Sequence, residues 1–115
     1  IASIYKNELS SFISKGIVHL QVPAENSRHC YWRFIVFLKS HNRDEIIKKL
    51  NEMNIKADAP YFPLLHDQPL FKDTKREKML NAQRLSKTHI SLPMHMLIGK
   101  GDAMTIVKKL KEVLI

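Results

Sequence analysis

A chain of 115 residues, 44% hydrophobic and 26% charged, has the size and balance of one globular domain that can bury a core without disulfides, and it leaves no room for a second. The longest apolar run, Phe34–Leu38, falls far short of the roughly 20 residues of a membrane-spanning helix, and a single cysteine, Cys30, excludes an intramolecular disulfide. The net charge of +8 favours phosphate-bearing partners, nucleic acid or a nucleotide-linked compound, without choosing between them.

The first residues, Ile1-Ala-Ser-Ile-Tyr-Lys-Asn-Glu8, carry charges where a signal peptide would carry an apolar block, so a cytoplasmic location is expected. Tyr5, Leu9, Phe12 and Ile13 recur at helical spacing, and Gly16 is placed to end that helix in the left-handed conformation. Val18, Leu20 and Val22 then alternate with polar residues until Pro23, which predicts a short strand. After a polar loop, Tyr31–Lys39 is rich in aromatic and β-branched residues and reads as a central strand. Its period of two puts Trp32, Phe34, Val36 and Leu38 on one face, and Tyr31, Arg33, Ile35 and Phe37 on the other. Arg33 is a lone charge on an apolar side and requires a partner or a route to solvent.

Asn42-Arg-Asp-Glu45 has the spacing of a helix cap, and Ile46, Ile47, Leu50 and Met53 continue as the apolar stripe of a helix over about 43–53. Ile55-Lys56-Ala57 is a short extended piece. It leads into Pro60–Phe71, where Pro60, Pro63 and Pro69 bias the residues before them away from helix. Arg76–Lys87 is expected to be a weakly amphipathic helix, and His89–Leu92 a strand stopped by Pro93. Gly99-Lys-Gly-Asp102 precedes a last helix whose apolar face is Ala103, Ile106, Val107, Leu110, Val113 and Leu114. Strands and helices mix without a βαβ rhythm, so the fold class expected is α+β, a small and mainly antiparallel sheet covered by helices on one face.

Six histidines raise the question of a metal, but no pair has the H-x-x-x-H register, Cys30 has no second cysteine, and neighbouring His29 and Cys30 point oppositely on an extended chain. No metal site is expected, and nothing marks Cys30 as an activated nucleophile. Neither phosphate-binding glycine loop is present, and Asp102 is placed to cap its own helix. His66 stands out in a stretch stiffened by prolines and flanked by Tyr61, Phe62, Leu70 and Phe71. It can hydrogen-bond a sugar hydroxyl, pair with a phosphate when protonated, or be satisfied by nearby backbone. His95, just after Pro93, has the same options. Arg33 can clamp an anion or form a structural ion pair.

The order of these pieces carries a resemblance. Tyr5-x-x-x-Leu9 opens the chain, the Tyr31–Leu38 strand is followed by the Arg43-Asp44 helix, and Ile55 comes after Asn54. Pro63-x-x-His66 with Pro69 and Phe71, then a helix, Ser91-Leu92-Pro93-x-His95 and a final helix complete it. This order resembles the C-terminal domain of the DegT/DnrJ/EryC1/StrS group of pyridoxal-phosphate-dependent sugar aminotransferases, with Asn54 standing where the family has glycine.

The resemblance implies that residues 1–115 form the small C-terminal domain of a fold-type I pyridoxal-phosphate-dependent transferase, without its large N-terminal domain. In such enzymes the cofactor is a Schiff base on a lysine of the large domain, and an amino group passes from glutamate to a keto-sugar carried on a nucleotide. Pyridoxal phosphate is therefore expected in the full-length parent and no cofactor in this chain alone, where no lysine can be assigned the transamination. Relatives that lack the Schiff-base lysine dehydrate their substrates instead. The family also implies a homodimeric parent and substrate-binding roles for Tyr61, Pro63, His66 and His95. Two other functions remain open: a free-standing sugar-nucleotide-binding module, and a basic nucleic-acid-binding domain. The second is disfavoured because the aromatic residues do not interleave with the basic ones as a stacking platform requires.

Overall fold

A computed structural model describes residues 1–74 and 77–115. Helix α1, Ala2–Ser14, leads to strand β1, Val18–Leu20, then β2, Phe34–Leu38, helix α2, Arg43–Glu52, helix α3, Leu80–Thr88, strand β3, His89–Leu92, and helix α4, Lys100–Val113. The strands form one antiparallel sheet in the order β1-β2-β3. The fold class is α+β, as expected.

Register decides what each sheet face presents. Val18 lies opposite Leu38, Leu20 opposite Val36, Val36 opposite Ile90, and Phe34 opposite Leu92. Directly opposed residues share a face, so these apolar side chains line up on one side of the sheet. Against them pack Tyr5 and Leu9 of α1, Ile46 and Leu50 of α2, and Ala103, Ile106, Val107 and Leu110 of α4. The Tyr5 and Phe34 rings meet edge to face at 4.9 Å, and the Tyr5 hydroxyl donates to Pro93 O at 2.8 Å. Burial, and secondarily the charge of Asp102, push that hydroxyl up to about 12.

Local chemistry ends two helices in the same way. Gly16, with φ +66°, donates to Ile13 O, and Ile17 donates to Phe12 O, the paired bonds of a Schellman cap. Asn54, with φ +62°, and Ile55 repeat the pattern on Asn51 O and Leu50 O. Asparagine is one of the few side chains that tolerates this conformation. At the start of α2, the Asn42 side chain accepts from the amides of Asp44 and Glu45, as its spacing predicts.

Several expectations are corrected. β1 ends at Leu20, and Val22 is exposed. β2 begins at Phe34, three residues later than expected: Tyr31 takes φ +52° and its amide donates to His29 Nδ1 at 2.8 Å, which turns the chain and leaves Trp32 exposed. α3 begins at Leu80; Arg76, where its start was expected, lies outside the described residues. Asp102 sits inside the first turn of α4 and accepts from the Gly99 amide at 2.8 Å, so Gly99 is the cap residue. Helices also cover both faces of the sheet. Ala82, Leu85 and Ser86 of α3 face Ile35 and Phe37, which alternate with the core residues of β2 and therefore point the other way.

Candidate functional site

The second face of the sheet carries the polar side chains. Ile55 and Ala57 are buried and draw the chain beside β3, where Asp58 and Ser91 exchange backbone hydrogen bonds of 3.3 and 2.8 Å. That pairing sets Asp58 in front of Arg33. Nη1 of Arg33 donates to both carboxylate oxygens of Asp58 at 3.1 Å and to Ser91 Oγ at 3.2 Å. The lone charge expected on this face thus finds its partner 25 residues away in sequence. The pair is half-exposed, where an ion pair contributes little to stability.

This cluster is the floor of an open cleft of about 840 Å³. Tyr31, Trp32 and the segment Met94–Leu97 line it as well. Trp32 is 77% exposed, and Met96 and Leu97 project almost wholly into solvent. His95 is exposed and lines this cleft, as do Cys30 and Lys56. Tyr61, Pro63 and His66 do not.

The proline segment lies farther along the same face. Its Phe62–Pro63 peptide is cis, Tyr61 has φ +64°, and short 3-10 turns follow at Leu65–Asp67 and Pro69–Phe71. Two buried residues hold it. His89 is 7% exposed, and its ring nitrogens lie 3.0 Å from Leu85 O and 2.5 Å from Pro60 O, tying the segment to α3 and β3. Arg43, the first residue of α2, donates to Ser86 O and Asp44 Oδ1, and its guanidinium stacks over Phe62 at 4.9 Å. Tyr61 and Leu64 close an apolar pocket of about 250 Å³ against Ile35, Phe37 and Leu85.

His66 is not displayed on the surface. Its side chain is 17% exposed, and Nε2 is 3.8 Å from Asp67 Oδ1, beyond hydrogen-bond distance, with no hydrogen-bond partner among the described residues. Pro63 is exposed at the cis turn, and the exposed Tyr61 forms part of the apolar pocket. The structure therefore separates the four candidates into a loop group, Tyr61, Pro63 and His66, and His95 in the cleft. Asp58, Ser91, His89 and Arg43 went unrecognised as site residues. The one cue to Asp58 was its place after the alternating Ile55 and Ala57.

Among the described residues no group of three His, Cys, Asp or Glu could hold a metal ion, and no helix is long and apolar enough to cross a membrane. No described lysine is buried. A Schiff-base lysine is activated by desolvation or by a neighbouring cation, and Lys56, exposed at the cleft, is held by no described side chain. The described residues therefore offer no desolvated lysine to a Schiff base.

The sequence profile of the DegT/DnrJ/EryC1/StrS aminotransferase family matches residues 1–111. Among curated proteins none matches the chain. Solved structures do. An aminotransferase named for the same family, from Brucella abortus, superposes with a TM-score of 0.79 at 22% identity, over 97% of this chain and 29% of its own. NtdA from Bacillus subtilis, solved with bound cofactor PMP, gives 0.82 at 21% identity, over 98% and 26%. DesI, solved in the presence of its TDP-sugar product, gives 0.85 at 17% identity, over 98% and 29%. The chain spans less than a third of the length of these relatives and shares their fold over that part.

Proposed function

The chain belongs to the DegT/DnrJ/EryC1/StrS aminotransferase family, and from that premise we propose that it is the small C-terminal domain of a pyridoxal-phosphate-dependent enzyme that aminates a nucleotide-linked keto-sugar. The observation that carries this reading is the coincidence of two extents. The family profile runs through nearly the whole chain, while the chain occupies only 26–29% of the solved relatives it superposes on. The large domain, the Schiff-base lysine and the cofactor then belong to the rest of a longer parent, which works as a cytoplasmic homodimer. This domain supplies substrate-side contacts, from Tyr61, Pro63 and His66 on the proline segment and from His95 in the cleft, and is not competent alone.

The absence of any buried lysine among the described residues supports the division of labour. So does the apolar surface left bare at Met96 and Leu97, which a larger neighbouring domain would cover. The test is the size of the native polypeptide, detected with an antibody raised against this chain. A product several times larger than 13.4 kDa that binds pyridoxal phosphate is expected. A native product of 13.4 kDa would overturn the reading in favour of a free-standing sugar-nucleotide-binding module. Formation of a stable internal aldimine by the 115-residue chain on adding the cofactor would overturn it from the other side.

A further inference from the structure

We infer that the Arg33–Asp58–Ser91 cluster, with Trp32 in the same cleft, is the subsite that receives the hydroxylated ring of the substrate, an assignment that rests on the functional reading above and adds a sugar contact in the cleft to the substrate-side contacts of the proline segment. Four features of the cleft carry it.

The floor is polar without being an anion trap. Arg33 and Asp58 neutralise each other through Nη1, so a free phosphate or carboxylate entering here meets the Asp58 carboxylate as well as the guanidinium. A neutral ring with adjacent hydroxyls meets no such conflict, because each hydroxyl both donates and accepts. The unused valences are of both kinds. Nε and Nη2 of Arg33 make no hydrogen bond with any described residue, leaving donors free, while the Asp58 carboxylate is 58% exposed and keeps lone pairs to accept. Ser91 Oγ accepts from Arg33 and has its own proton to give.

The apolar component is in place as well. Trp32 lines the same cleft with its ring exposed, a flat surface for the C–H face of a pyranose, and a large exposed aromatic beside planar polar groups is the usual make-up of a site with few but oriented polar contacts. The floor is also held by backbone and not by side chains alone. The Asp58–Ser91 bridge places both residues on the sheet itself, so the hydrogen-bonding groups are ordered before ligand arrives and less conformational entropy is lost on binding. The proline segment offers none of this. His66 is turned inward, and the pocket beside Tyr61 is apolar.

The test uses the 15N-labelled 115-residue chain with three probes: methyl α-glucopyranoside, UDP and UDP-glucose. The glycoside and UDP-glucose are expected to shift the Trp32 indole N–H and the Ser91 amide, whereas UDP leaves Ser91 unmoved. Trp32→Ala, an exposed position whose loss leaves the core intact, is expected to weaken the UDP-glucose response about tenfold, and Asp58→Asn by a similar factor through its lost charged acceptor. If UDP-glucose shifts Tyr61 and His66 while Trp32 and Ser91 stay still, the cleft assignment falls and the functional reading stands. If UDP alone moves Ser91 as far as UDP-glucose does, the cleft is an anion site and the assignment falls. If none of the three probes shifts any residue at millimolar concentration, the assignment and the substrate class both fail.

Discussion

The two faces of this sheet are built on different principles. On the first face, Phe34, Val36, Leu38, Ile90 and Leu92 meet three helices and are sealed from water, each contact being one apolar residue against another and replaceable by a similar one. On the second face, Arg33, Asp58, Ser91 and His89 depend on particular partners, and an open cleft remains. β3 belongs to both, with Ile90 and Leu92 in the core and His89 and Ser91 holding the other side, so all four of its residues are buried. The core lies on the first face and the proposed recognition groups on the second, and one four-residue strand aligns them.

Mutations sharpen this contrast, and the largest effect is expected on the first face. Leu9→Ala removes a fully buried side chain and is expected to cost about 2–5 kcal/mol by chemical denaturation. The same face should also respond to alkali. Because the Tyr5 hydroxyl ionises near 12 in the folded chain against an ordinary 10.0, the folded state holds this proton more tightly than the unfolded one. The stability that this confers is complete below pH 10 and is lost as pH rises through 12, by about 2–3 kcal/mol. Tyr5→Phe should flatten that part of the pH–stability curve, and an unchanged slope would show that other groups carry it.

On the second face, His89→Leu leaves the carbonyls of Leu85 and Pro60 without the ring nitrogens that face them, at an expected cost of about 2 kcal/mol. Amide hydrogen exchange should accelerate in the proline segment more than in α1 or α4. Equal acceleration everywhere would mean that His89 supports the whole fold and not this one junction. The smallest effect is expected from the Arg33–Asp58 pair. A double-mutant cycle with alanine at both positions should give a coupling under about 1 kcal/mol, since the pair is half-exposed. A coupling several times larger would make the cluster a structural element and weaken its assignment to ligand.

Much of the first face was legible in the sequence. The apolar stripes of α1, α2 and α4, the alternation in β2, the bounds of β3, the cap at Asn42 and the glycine at the end of α1 follow from local periodicity and local hydrogen bonding, which a chain carries with it wherever it folds. Even the failures there are short-range. β2 starts late because His29 captures the Tyr31 amide, a bond that strand propensity does not register.

The second face was legible only in part. Its composition announced that Arg33 needed a partner, that the proline segment was rigid and that His95 followed a strand end, but pairing Arg33 with Asp58, setting both beside Ser91, and turning His66 inward all depend on sheet register and on chain crossings between distant residues. By itself, then, the sequence determined the α+β class and the core, because apolar burial is read from period alone, and the order of its motifs carried the resemblance to the family. The tertiary structure decided which polar groups meet, because a hydrogen bond extends only about 3 Å and sequence separation says nothing about which residues come that close.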